Sequence, residues 1–485
     1  MIKEASSFRD PDSSLYYDSS YYYRRISLNY EKHYNHFIES GLKGKLLQEG
    51  YILPFDEIIV DSLEVGSTSK VLRTDILPFV SYPYEWSFSQ FKAAALLTLK
   101  INQIALEYGM VLKDASMFNV QFIGCKPVFI DLSSFEVYQQ DTPWTAYYQF
   151  CKHFYAPLFL AAKKNIILPK LLLYFIDGIP LKDAVSMCSW TDFLNSGAFL
   201  HLYLHAKGEG KIVNGVKYNK VAKKQLSNIF THLESAITSL TIKQKQTVWD
   251  DYNQNNNYEI ESQQHKVEII KRFLDQIEGT KALDIGANDG WYSQLLADKG
   301  MYTLVVDIDE LAMDRAFKGN HELIHPLQMN LVNPTPAIGW NNIERKSFWD
   351  RCHVDVIQAL AIVHHLVITH DISFEEIAKK LAQHSKYLII EFVDPEDSQV
   401  KILFQNKSHR KLVYNKINFE KSFKRKFNLI LNPSLSFISS RPSRMDFISL
   451  DLLFWIIVFA FSSSISSITI STKSNILCNI SSALS

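Results

Sequence analysis

The chain has 485 residues, 47% of them hydrophobic, enough for two or three domains with separate cores. Its 51 lysines and arginines balance 51 aspartates and glutamates, so no chain-wide field draws in nucleic acid or an anionic membrane, and nucleic acid is not an expected partner. Five scattered cysteines (Cys125, Cys151, Cys188, Cys352, Cys478) show neither CxxC nor metal-ligand spacing, which argues against a disulfide framework or structural zinc.

The polar N-terminus, MIKEASSFRDPDSS, lacks the apolar core of a signal peptide, and a cytoplasmic location is expected. A tyrosine-rich opening (Leu15 to Tyr34) leads to short strand-like pieces, EIIV and SKVLR. Apolar residues at helical spacing then predict a helix from Phe88 to Tyr108 that ends at Gly109. NVQFIG and PVFIDL, separated by a turn at Gly124 to Pro127, read as a hairpin.

Within this stretch Asp114 is followed five positions later by Asn119, and Asp131 stands at the end of the hairpin. The pattern resembles protein kinases and related phosphotransferases, in which a catalytic-loop aspartate precedes a metal-binding asparagine and a second metal-binding aspartate follows. The resemblance implies an α+β kinase-like domain over residues 1–245, in which Asn119 and Asp131 hold magnesium with ATP and Asp114 orients an acceptor hydroxyl. It is partial: Asp131-Leu132-Ser133 replaces the DFG-type motif, no GxGxxG stands upstream, and Lys70 is the only guess for the phosphate-binding lysine. The plainer reading is a helix-loop-hairpin in which Asp and Asn cap turns.

The amide-rich run Asp250 to Lys266 reads as a linker. Beyond it strands and helices alternate: KALDIG, WYSQLLADKG, YTLVVDID, ELAMDRAFKG, HELIHPLQMN, HVDVIQALA, SFEEIAKKLAQH and KYLIIEFV. Such alternation predicts a mostly parallel sheet covered on both faces, with ligands at the strand C-termini. ALDIGANDGWYS sets Gly286 and Gly290 in a tight turn after a strand carrying Asp284, a carboxylate suited to a cationic ligand rather than a pyrophosphate. Asp307 follows 23 positions after Asp284 at the end of the next strand, where a carboxylate about 20 residues on binds ribose. A third strand ends at Asn330, whose amide suits an adenine edge.

This combination resembles class I methyltransferases that use S-adenosylmethionine, an α/β Rossmann-like fold over residues 246–450. The resemblance implies that Asp284, Gly286, Asn288 and Gly290 line the methionine end of the cofactor, Asp307 the ribose and Ile308 the adenine face. The run from TVWDDY through GANDG, NPTPAIGW, ALAIVHHL and EFVDPEDSQV resembles a methyltransferase family related to the nodulation protein NoeA. That family leaves the acceptor (small molecule, glycan or protein) undefined.

His364 and His365, at the expected end of the fourth strand, are the candidate bases, with a packed structural pair as the equal alternative. Glu391, Asp394 and Asp397 either orient an acceptor or are solvated loop charges. No NPPY-type motif is present, which favours O-methylation over base or amide methylation. The basic run Lys401 to Lys426 reads as a solvated face. FNLIL and MDFISL are expected to close the sheet. Phe447 to Phe461 is apolar but shorter than the roughly 20 residues a bilayer requires, so a core strand is favoured over a membrane anchor, and residues 451–485 read as an apolar then serine-rich tail. Three functions follow: a methyltransferase whose first half selects or presents the acceptor, a bifunctional phosphotransferase and methyltransferase, or a cofactor-binding module without turnover.

Overall fold

The tyrosine-rich opening folds as a hairpin because Asp18 Oδ1 accepts from the backbone N–H groups of Ser20 and Tyr21, at 2.8 and 2.9 Å, and fixes the turn between β2 (Ser13–Tyr17) and β3 (Tyr21–Ser27). With β1 (Ile2–Lys3), β4 (Asp56–Ile58) and β5 (Thr68–Asp75) these strands make an antiparallel sheet in the order β1-β2-β3-β5-β4. The computed structural model describes residues 1–60, 68–164, 168–208, 220–242, 260–431 and 455–461.

The helix Phe88–Glu107 is opened by a capping box in which Ser87 and Gln90 exchange side-chain and backbone hydrogen bonds. It stops where Gly109 takes φ +76°. Phe88, Phe91, Leu99 and Ile101 are buried along it, each contributing roughly 1.5–3 kcal/mol. The chain then forms β6 (Met110–Leu112), the hairpin β7 (Val120–Ile123) and β8 (Lys126–Phe129), and β9 (Phe135–Val137), which pairs with β6. The hairpin turn is Gly124-Cys125. Pro127 lies within β8, opposite Phe122, rather than in the turn.

The second half is a seven-stranded sheet: β10 (Lys281–Ile285), β11 (Tyr302–Asp307), β12 (Ile324–Gln328), β13 (Val356–Ala359), β14 (Tyr387–Phe392), β15 (Phe427–Leu431) and β16 (Trp455–Phe461), in the order β12-β11-β10-β13-β14-β16-β15. The first five are parallel, and β16 runs antiparallel to both its neighbours. Leu283, Ile285, Ile357, Leu388 and Ile390 pack into one core, while Ala282, Val356 and Ile389 pack into another on the opposite face. Both faces are therefore buried, as continuous apolar strands require. This is a mostly parallel, Rossmann-like sheet, as the alternation of strands and helices predicts.

Several expectations are corrected. Residues 455–461 form a strand inside the sheet, the core strand favoured for this apolar run, so the sheet extends past the domain bound expected at residue 450. Between β14 and β15 its backbone N–H and C=O groups find partners on both sides. MDFISL and the serine-rich residues 462–485 lie outside the described residues, as does most of the expected linker, but Ile260 to Lys266 belongs to the helix Ile260–Leu274. No helix among the described residues is long and apolar enough to cross a membrane.

The two halves meet in a polar seam. Glu85, fully buried, is ion-paired to Arg351 and accepts at 2.5 Å from Thr335 Oγ1, and the Arg351 guanidinium lies 4.3 Å from the Tyr82 ring centroid. Ser89 donates to Asp314 from both backbone and hydroxyl, and Gln90 Nε2 donates to the carbonyl of Pro326.

Candidate functional site

At the C-terminal edge of the parallel strands lies a cavity of about 570 Å³, within the range of small-molecule sites. Its floor is the turn after β10. Gly286 (φ +69°), Asn288 (φ +51°) and Gly290 (φ +84°) all take left-handed backbone angles, and a Cβ at Gly286 would meet Ile362 Cδ1 at 2.9 Å. The turn is held against the next strand by the Gly286 N–H, which donates to the Val306 carbonyl at 2.9 Å.

Asp284 is buried on the cavity wall, and Ser293 Oγ (2.7 Å) and Gln358 Nε2 (2.9 Å) both donate to its Oδ2. Burial pushes its pKa up to about 7, against the pull of those two hydrogen bonds. Asp307 accepts from the backbone N–H groups of Asn288 and Asp309 at 2.8 and 2.9 Å, and burial raises its pKa too. Two buried carboxylates on one wall suit a cationic, hydroxylated ligand. Beside them Ile308 presents an exposed apolar face, and Asn330, whose Oδ1 accepts from Val332 N–H, keeps its amide N–H groups for another acceptor.

The fourth strand ends at Ala359, earlier than its apolar pattern suggests, and His365–Thr369 is a π-helical turn. Adjacent residues there point in different directions. His365 lines the cavity together with Thr369 and His370, whereas His364 is buried behind the wall with Nδ1 lacking a partner. Burial lowers the pKa of both, that of His364 far below the usual histidine value. His364 thus takes the packed role and His365 the accessible one.

A second cavity, about 620 Å³, opens between the first-half sheet and its helices. Asp114, Asn119 and Asp131 all line it. Asn119 Nδ2 donates to the Asp114 carbonyl at 3.3 Å and to Ser134 Oγ at 3.1 Å. Burial and the charge of Asp131 raise the Asp114 pKa. Burial opposes ionisation of Asp131, but Arg24 at 2.9 Å and the hydroxyls of Ser133 and Ser134 outweigh it and keep the pKa low. The cation facing Asp131 is Arg24 of β3, while Lys70, the guess for a phosphate-binding lysine, pairs with Glu57 at 3.3 Å.

The nodulation protein NoeA of Rhizobium meliloti (strain 1021) is 29% identical over 440 residues, covering 88% of this chain and 92% of that protein. The chain is thus similar to NoeA over most of its length. No protein-family model matches it. Among solved structures, the N-methyltransferase NodS from Bradyrhizobium japonicum WM9 in complex with S-adenosyl-l-homocysteine aligns with 44% of this chain and 93% of its own, at 11% identity and a TM-score of 0.31. The bifunctional kinase-methyltransferase WbdD aligns with 41% of this chain and 39% of its own, at 12% identity and a TM-score of 0.28. The second half of the chain has a Rossmann-like sheet with a small-molecule cavity at the C-terminal edge of its parallel strands.

In this chain one pocket gathers Asp284, Gly286, Asn288, Asp307, Ile308 and Asn330, and Gly290 closes the turn beneath them. Asp394 and Asp397 do not line it. They accept from backbone N–H groups of their own loop and of the helix Ser398–Asn406, the loop role. Glu391 is fully buried and paired at 2.7 Å with Lys266, whose ammonium lies 4.8 Å from the Tyr292 ring centroid. Lys266 lines the pocket and was hidden in the sequence by its place in an apparent linker.

Proposed function

We propose that this chain transfers the methyl group of S-adenosylmethionine to a hydroxyl oxygen of an acceptor, with His365 as general base. The observation that carries this reading is the convergence of Asp284, Asp307 and His365 on one cavity at the sheet edge. The cofactor supplies an electrophilic methyl on a sulfonium. Asp284 faces its ammonium end, Asp307 the ribose hydroxyls, Ile308 the adenine face and Asn330 the adenine edge. The half-buried His365, whose pKa burial lowers, takes the proton from the attacking hydroxyl. The acceptor is a small molecule, glycan or protein that the first half selects or presents.

Cell extract incubated with the protein and isotopically labelled cofactor tests the reading by mass spectrometry. A labelled methyl ether or ester is the expected product. Normal cofactor binding with no labelled product in any fraction would leave a binding module instead.

A second reading, phosphotransfer in the first half, draws support from Asp114, Asn119 and Asp131 sharing a cavity. Magnesium with ATP would be held by Asn119 and Asp131. The residues do not fit the metal as they stand, because Asp131 already accepts from Arg24, Ser133 and Ser134.

A further inference from the structure

The first-half cavity is not built by the first half alone. Opposite Asp114, Asn119 and Asp131, its wall includes Glu344, Arg345, Lys346 and Arg351 of the methyltransferase half. Most cations on that wall are answered by carboxylates: Arg9 by Glu344, Arg24 by Asp131, Lys346 by Glu4 and Arg351 by Glu85. Lys281 donates to the Pro78 carbonyl.

Arg345 is different. Its side chain is 15% exposed, and its nearest carboxylate is Glu344 at 3.7 Å, which already holds Arg9 in two hydrogen bonds. One N–H donates to the Glu344 carbonyl and Nε has no partner. The guanidinium lies 4.2 Å from the ring centroid of Phe118, the residue before Asn119. A mostly buried guanidinium with an unmade hydrogen bond is stabilised by an arriving anion, and its planar fork suits phosphoryl oxygens.

Asp131 supplies the independent observation. The carboxylate that a magnesium ion would need is neutralised by the Arg24 guanidinium, and releasing it would break a buried ion pair. Arg24 is thereby committed to Asp131, and Arg345, from the other half, is the guanidinium of this wall with an unmade hydrogen bond.

We propose that this cavity binds a phosphoryl-bearing ligand without magnesium, with Arg345 of the methyltransferase half as its anion anchor. The ligand bridges the two halves, which makes the site incomplete in either half alone. The inference is independent of which atom is methylated.

Calorimetric titration of the full-length protein with tripolyphosphate, ATP and a sugar phosphate, each in EDTA and in excess magnesium, tests it and separates a polyphosphate source from a phosphate ester. At least one compound is expected to bind, with affinities in EDTA and magnesium within about threefold of each other. Arg345→Gln should weaken that binding by about tenfold or more, and Arg345→Lys should recover part of it. S-adenosylmethionine titrated into the same samples reports folding and the state of the other pocket, and should be unchanged. Binding that requires magnesium, unchanged affinity in Arg345→Gln, or no phosphoryl binding by protein that takes up S-adenosylmethionine normally would each overturn the proposal. The comparison of EDTA with magnesium uses the unaltered protein and stands even where a variant fails to fold.

Discussion

Asp284 reaches the pocket as a carboxylate that burial holds near pKa 7, so an incoming cation must find it ionised. A positive ligand lowers that pKa on binding, and binding below pH 7 therefore releases a proton. Affinity for S-adenosylmethionine should fall by up to about tenfold per pH unit below 7 and level off above it. Calorimetry in buffers of different ionisation enthalpy would show the proton released at pH 6, and a flat affinity from pH 5.5 to 8 would refute the role given to Asp284. The two histidines make a second contrast at this scale. His365→Gln should lower turnover roughly 10²- to 10⁴-fold, while His364→Gln should act on stability more than on turnover. Because burial depresses the His365 pKa below 6.5, the rate should rise with pH only below that value and be flat at neutrality. Equal losses in the two variants, or a rate still climbing from pH 7 to 8, would remove His365 as the base. Sequence placed the pair at the strand end but left its members equal, because a strand and a π-helical turn aim neighbouring side chains differently, and the turn begins at His365 itself.

Among elements, the parallel strands were legible because their apolar runs are buried on both faces, and Asp284 and Asp307 follow from where β10 and β11 end. Gly286 shows how tightly the turn between β10 and the following helix is specified. Gly286→Ala places a Cβ 2.9 Å from Ile362 at φ +69°, a strain of roughly 1–3 kcal/mol. The turn will relax into the cavity, so S-adenosylmethionine binding should weaken about tenfold or more while the circular dichroism spectrum is kept. Unchanged affinity would show the turn to be pliable. What the sequence hid were long-range partners. Arg24 and Arg345 carry no local motif and Lys266 falls in the expected linker, and their meaning comes from Asp131, Phe118 and Glu391 respectively, each more than a hundred residues away. The insertion of β16 between β14 and β15 was hidden for the same reason, since strand order is not a local property.

Across the molecule, the seam ties both halves together through a buried ion pair. Arg351→Met leaves Glu85 charged and uncompensated at full burial, which should cost about 3–5 kcal/mol, read as a lower Tm. Adding Glu85→Gln to Arg351→Met should recover part of the loss. A loss below about 1 kcal/mol in the single variant would mean that water enters the seam. The order of the seven strands has a further consequence, for how the chain comes off the ribosome. β14 and β15 are made first but touch only through β16, synthesised some twenty residues after β15. Until then β14 presents an open edge and β15 has no neighbour in the sheet, a nascent state prone to edge-to-edge association. Translation stopped just short of residue 455 would hold the chain in that state, so the sheet that carries the cofactor pocket is sealed only by one of its last strands.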